Sequence, residues 1–202
     1  MKIFVFDTET TGFINKKDPN LESQPKIVQF SGIMGELNNG EFIELERIDQ
    51  YINPGIKIPF ETSKIHHIYD IDVINAPKFD EVIDKILYFI NTPDVIVGHN
   101  VEFDEEMLKL ELKRLQREHD YRPKNVYCSM KNTVEFCAIM GDRDRLKYPK
   151  LGELHKKLFG DYFIGAHNAI VDVENTLKCF LELHKKGIVH IEEKEETVMS
   201  LF

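Results

Sequence analysis

Residues 2–7 read Lys-Ile-Phe-Val-Phe-Asp, a run that is apolar on both sides of an extended chain. Successive side chains of a strand point to opposite faces, so Ile3 and Val5 face one way and Phe4 and Phe6 the other. A strand that buries both faces belongs in the middle of a sheet, with a layer packed on each side. The other periodicities supply those layers. Residues 26–37 and 41–52 are two further strands, parted by the turn-forming Asn38-Asn39-Gly40 and ended by Pro54-Gly55. Val95-Ile96-Val97 is a short fourth. Phe79, Val82, Ile83, Ile86, Leu87 and Ile90 recur at helical spacing. Further helices are expected over Phe103–Leu115, Leu151–Leu158 and Ile170–His184. Three strands in a meander followed by alternating helix and strand predict an α/β chain with a mixed sheet and helices on its faces.

At 202 residues the chain suits one domain of ordinary size. No apolar run approaches the ~20 residues that cross a bilayer. The N-terminal apolar stretch is short and ends in an acid, unlike a signal peptide, so a cytosolic location and no membrane partner are expected. Cys128, Cys137 and Cys179 include no C-x-x-C pair, which argues against zinc or redox motifs. Lys and Arg number 26 against 35 Asp and Glu, a formal charge of −9. That balance disfavours wrapping a long duplex. It permits a site that grips a few nucleotides through bound cations.

Three stretches place acids where a strand gives way to a loop or helix. Asp7 and Glu9 stand two apart, on one face, as the first strand ends. Two carboxylates there repel each other, and burial penalises both; a divalent cation resolves the conflict. The alternative is that they surface and meet water. Gly12, in Thr10-Thr11-Gly12, allows a tight turn or a close approach to a ligand. Asp104 opens a helix after Val97-Gly98-His99-Asn100; the helix dipole alone would favour an acid there. Ligands of open α/β sheets nonetheless gather at the carboxyl ends of strands. His167 and Asp172 are five residues apart, about 140° around a helix. His167 is therefore expected on the loop at the helix entry, either functional or merely capping. Asp172 is expected inside the helix, leaning toward the core.

Asp7-x-Glu9 with Thr-Thr-Gly, Asn100-x-x-Phe103-Asp104 and His167-x-Ala169-x-x-Asp172 together resemble the three motifs of the DEDDh exonuclease family. Tyr148-Pro149-Lys150-Leu151-Gly152-Glu153-Leu154 and Leu158-Phe159-Gly160 are also similar to its proofreading members. Val171 and Val173 depart from the pattern at positions that are not ligands. The resemblance implies a ribonuclease H-like fold: a mixed five-stranded sheet whose first three strands are antiparallel, with helices on both faces. It spans about residues 1–183, leaving 184–202 as an acidic extension.

What the resemblance implies chemically is a 3′→5′ exonuclease releasing nucleoside monophosphates from DNA, in proofreading or repair. Two divalent cations are implied, Mg²⁺ with Mn²⁺ as a substitute. Asp7 would bridge them, Glu9 and Asp172 would complete one shell, and Asp104 would hold the other mainly through water. His167 would be the general base. Thr10, Gly12, Phe13, His66, Asn100 and Phe103 would line the slot for the terminal nucleotides of a single-stranded or frayed 3′ end. Phe103 also fits its helix's apolar stripe. Arg143, Arg145, Lys147, Lys150, Lys156 and Lys157 could grip phosphates or form a solvated mixed face. The terminal Val198-Met199-Ser200-Leu201-Phe202 resembles the clamp-binding peptide of bacterial replication proteins, with Val198 in place of the usual Gln. Leu201 and Phe202 would then enter a sliding clamp, or else pack back on the domain. A polymerase is a second expected partner. RNA as substrate, a non-catalytic binding module and a small-nucleotide phosphohydrolase are the competing readings. No G-x-x-x-x-G-K-[ST] loop supports the last.

Overall fold

The computed structural model describes residues 1–165 and 168–189, with Arg143 described by its backbone alone. In chain order the elements are β1 (Lys2–Thr10), β2 (Ile27–Asn38), β3 (Glu41–Tyr51), α1 (Phe60–His66), α2 (Asp70–Val73), α3 (Phe79–Asn91), β4 (Val95–Gly98), α4 (Val101–Arg114), β5 (Val126–Cys128), α5 (Ser129–Asn132), α6 (Val134–Cys137), α7 (Leu151–Phe159) and α8 (Ala169–Lys185). The sheet has five strands in the order β3-β2-β1-β4-β5. β1, β2 and β3 are mutually antiparallel neighbours, whereas β4 and β5 run parallel to β1.

β1 is central, as its composition predicts. Ile3, Phe4, Val5 and Phe6 are all essentially inaccessible. Phe4 and Phe6 stack with Phe30 and Phe89 at centroid separations of 5.1–6.1 Å, in the layer built by α3 and α4. Ile3 and Val5 pack on Val173, Leu177 and Phe180 of α8 across the other face. Each such side chain contributes roughly 1.5–3 kcal/mol on burial. The close approach of Phe4 to β2 explains Gly32, where a Cβ would stand 2.2 Å from the Phe4 ring.

Two boundaries differ from the expected ones by two residues or more, each for its own reason. β1 continues to Thr10 because β2 pairs with it that far, Thr10 opposite Ile27. Its pairing with β4 stops at Val5 opposite Val97. The chain thus leaves a notch beside residues 6–10 of β1, where no parallel strand lies among the described residues. α4 begins at Val101, two residues earlier than its apolar stripe suggests. The cause is Asn100, whose left-handed backbone (φ 72°, ψ 35°) turns the chain directly from β4 into the helix.

Candidate active site

The β1 row that starts with Ile3 and Val5 continues as Asp7 and Glu9, so the face packed on α8 turns acidic at one end. α8 meets it there with Asp172, in its first turn. Ligand oxygens of Asp7, Glu9 and Asp172 all lie within 4.8 Å of one another. A bulge fixes the aim of Glu9. Glu9 pairs with Gln29 and Thr10 with Ile27, leaving Val28 as an extra residue on β2. Val28 is fully buried against Ile58, Ile68 and Val73, so the α1–α2 layer pins the bulge.

Asp104 enters the notch from α4 and is 3% exposed. Its Oδ1 accepts from the Thr8 backbone N–H at 3.0 Å and from the Thr8 hydroxyl at 2.6 Å. The carboxylate thereby supplies the acceptor that a longer β4 would have provided. Thr8 was not singled out by the sequence; its signal is a polar residue continuing the buried Phe4–Phe6 row.

These acids strain against one another. Burial holds the Asp7 carboxyl well above the usual carboxylate range, and Asp104, Glu9 and Asp172 push it further. Burial first, then Asp172 and Asp104, raise Glu9 to about 8. Burial raises Asp104 to about 7 even though both Thr8 hydrogen bonds pull it down. Every influence on Asp7 and Glu9 acts in the same direction. Clustered hard oxygen donors that resist ionisation together are the donor set a divalent cation satisfies. Asp7, Glu9 and Asp172 therefore fit such an ion, with Asp104 close enough to act on the Asp7 carboxyl.

The other expected residues fall into three groups. Around the acids, the Thr10 hydroxyl donates to Gly12 O at 2.8 Å, and open space stands beside Gly12 where a side chain would project. Phe13 is 82% exposed, and its ring lies 6.0 Å from that of Phe103. Asn100 is exposed at the start of α4. His66 is buried; its Nδ1 accepts from Ile68 N–H at 3.1 Å. Burial lowers the His66 pKa, partly offset by the Thr10 backbone beside it. The basic stretch is dispersed. Lys147 pairs with Glu153, Lys156 lies over Tyr162 and Lys157 over Phe136. Lys150, with Leu151, Gly152, Tyr162 and Phe163, lines a cavity of about 410 Å³ that reaches Asp172. His167, Leu201 and Phe202 lie outside the described residues. His99 is a residue the sequence reading passed over. Its Nε2 is 3.0 Å from Pro149 O and its Nδ1 3.0 Å from Ser129 Oγ, tying the end of β4 to the start of α5 and the approach to α7.

An acidic cluster at the carboxyl end of the central strand, on this mixed five-stranded sheet, accords with a ribonuclease H-like fold, and the family match makes the chain an enzyme of the exonuclease class. The chain belongs to the RNase_T exonuclease family, whose sequence model matches residues 4–180. It is 34% identical over 113 residues to the DNA polymerase III subunit epsilon of Treponema pallidum (strain Nichols), covering 56% of this chain and 47% of that one. It is 26% identical over 200 residues to a PolC-type DNA polymerase III of Caldanaerobacter subterraneus subsp. tengcongensis, covering 96% of this chain and 13% of that one. The chain thus spans less than half the length of these curated relatives. Among solved structures, the nuclease domain of 3′hExo, a DEDDh family member bound to rAMP, superposes with a TM-score of 0.72 at 18% identity over 96% of each chain. Exonuclease X in complex with 5′ overhanging duplex DNA gives 0.63 at 20% identity, over 92% of this chain and 93% of that one. At such identities these likenesses establish the fold.

Proposed function

We propose that this chain is a divalent-cation-dependent 3′→5′ exonuclease that removes nucleoside monophosphates from DNA, in proofreading or repair. The observation that carries the reading is the cluster of Asp7, Glu9 and Asp172, ligand oxygens within 4.8 Å, with Asp104 beside it. These four residues would hold Mg²⁺, or Mn²⁺ in its place. When bound, the ions supply an activated water and stabilise charge on the phosphate and the leaving 3′ oxygen. Thr8 pulls the raised Asp104 pKa down and aims the carboxylate into the notch. His167, assigned from the sequence motif alone, takes the proton of the attacking water. Phe13 and Phe103 stack on the terminal bases, a contact that tolerates any sequence. Thr10, Gly12, His66 and Asn100 line the rest of the slot.

DNA is supported by the polymerase III relatives and by the DNA-bound Exonuclease X. An RNA substrate is the second reading, favoured by the rAMP held in the 3′hExo nuclease domain. We assign residues 1–183 to the catalytic domain and 184–202 to an extension that recruits a sliding clamp through Leu201 and Phe202, with a polymerase as a further partner. No helix among the described residues is long and apolar enough to cross a membrane.

The test compares 3′- and 5′-labelled DNA and RNA strands of one sequence, with Mg²⁺, with EDTA, and with Asp7→Ala. Stepwise 3′ loss that requires the ion and Asp7, faster on DNA, is the expected result. Faster loss of RNA would move the second reading forward, and no ion-dependent shortening would refute the mechanism. Deleting residues 198–202 abolishes clamp capture in a pull-down if the tail is the docking peptide; unchanged capture removes that assignment.

A further inference from the structure

α4 carries Asp104 in its first turn and a buried ion pair in its last. Arg114 Nη1 lies 3.0 Å from Glu111 Oε2, with side chains 10% and 6% exposed. Nothing in the catalytic reading uses either residue. Their side-chain hydrogen bonds among the described residues go to one segment. Glu111 Oε1 accepts from Ile27 N–H at 3.0 Å. Arg114 Nη2 donates to the carbonyls of Leu21, Gln24 and Pro25 at 2.9–3.0 Å. Together they clamp the returning limb of the loop that joins β1 to β2.

That loop is the one carrying Phe13, and it is cross-braced from the clamp to the ring. Thr11 N–H donates to Lys26 O at 2.9 Å, and Lys26 N–H donates to the Thr11 hydroxyl at 2.9 Å, closing the neck. The Gln24 side chain, 4% exposed, fills the interior. Its Oε1 accepts from Asn15 N–H at 3.0 Å, and its Nε2 donates to Asn15 O at 2.8 Å and to Asp18 O. A path of hydrogen bonds therefore runs from Arg114, ion-paired to Glu111, through Gln24 to Asn15, two residues from Phe13. Phe13 is a large exposed apolar side chain, and what holds it over Phe103 is its backbone.

We infer that Glu111 and Arg114 are positioning residues. They fix the loop between β1 and β2 so that the Phe13 ring stands against Phe103 before a nucleic-acid strand arrives. This rests on the reading of Phe13 as a substrate contact. A platform held in place spares the strand the cost of ordering it, so the pair acts on substrate engagement and leaves the hydrolytic step alone. Arg is required in preference to Lys, because one planar guanidinium reaches three carbonyls and a carboxylate at once.

The experiment is a double-mutant cycle on a labelled single-stranded DNA oligonucleotide with Mg²⁺. Phe13→Ala raises KM by about 5- to 150-fold, the range for losing one base–aromatic stack. Arg114→Lys raises KM by at least about threefold, kcat staying within about twofold. In the Phe13→Ala background the Arg114→Lys effect disappears. Gln24→Ala, which leaves the buried pair untouched, gives the same pattern and covers the case in which Arg114→Lys folds poorly. The chain contains no Trp, so Phe13→Trp is a single fluorophore. Its time-resolved anisotropy gains a fast component when Arg114→Lys or Gln24→Ala is added. If Phe13→Ala leaves KM unchanged, the contact reading fails and this inference with it. If Phe13→Ala raises KM but the other variants leave KM and anisotropy alone, or act equally in both backgrounds, this inference alone is overturned.

Discussion

Replacing Thr8 by Val isolates one of the influences that hold the Asp104 pKa down. Val preserves the β-branched shape that suits a strand and removes only the hydroxyl, which donates to Asp104 Oδ1 at 2.6 Å. A hydrogen bond to a charged group is worth roughly 1.5–3 kcal/mol, and one pKa unit is about 1.4 kcal/mol. Asp104 stands at about 7 with both Thr8 bonds in place. Losing one therefore raises it by roughly 1–2 units. Protons and the cation compete for the same oxygens, so near neutral pH the Mg²⁺ concentration giving half-maximal activity rises by roughly 5- to 50-fold. Near pH 9 the carboxyl is at least half ionised in either protein, and the gap closes to about twofold or less. Thr8→Ser keeps the donor and restores most of the loss. The assay is a Mg²⁺ titration of exonuclease rate at several pH values. An equal handicap at pH 7 and pH 9 would refute the reasoning, because it would mean Thr8 only shapes the strand.

Three further outcomes follow from the same site. Glu9 is raised from 4.5 to about 8, so between those values the folded metal-free protein binds more protons than the unfolded chain. Its melting temperature in EDTA falls as pH rises from about 5 to 8, and Mg²⁺ recovers more stability at the upper end; a rise with pH in EDTA would contradict this. Glu9→Gln lowers activity by about a hundred- to a thousandfold, yet makes that EDTA pH dependence shallower, with Asp7 and Asp104 still contributing, as thermal scans of both proteins will show. Burial holds the His99 imidazole near a pKa of about 4, so its ties to Pro149 and Ser129 are made by a neutral ring. His99→Ala costs about 1–3 kcal/mol in denaturant melts, and equally at pH 6 and pH 8, where a charged tie would not.

What was legible in the sequence follows from what side chains record. Ile3 to Phe6 record burial on both faces, and the centre of the sheet follows from them. Phe79 to Ile90 record a single apolar stripe, and α3 occupies it. The acids are legible because charge at a strand end or helix entry conflicts with its surroundings, and the conflict points to a ligand. β5 is not legible: three residues, one of them half-exposed Val126, leave no period to read. α1 and α2 escape because Phe60, Ile65, Ile71 and Ile74 are exposed, so their pattern does not describe a buried face. Glu111 and Arg114 escape for the opposite reason. An acid and a base three apart on a helix read as a solvated surface pair. Only the fold of the loop onto α4 reveals that they are buried.

Asp104 separates two roles that a carboxylate usually merges. Its Oδ1 closes the notch by satisfying the Thr8 N–H and hydroxyl, while its charge opposes the neighbouring acids. Asparagine keeps the acceptor and loses the charge. Alanine loses both, leaving a buried backbone donor unpaired at a cost of roughly 1–3 kcal/mol. The two substitutions therefore move metal-free stability in opposite directions. Asp104→Asn raises the melting temperature in EDTA by relieving repulsion on Asp7. Asp104→Ala lowers it, by some 2–4 °C per kcal/mol for a chain of this size. Activity is lost in both. If the carboxylate served only the ion, both variants would be stabilised alike. A shared rise would show that the notch does not depend on Asp104, and that the missing stretch of β4 is compensated by something else.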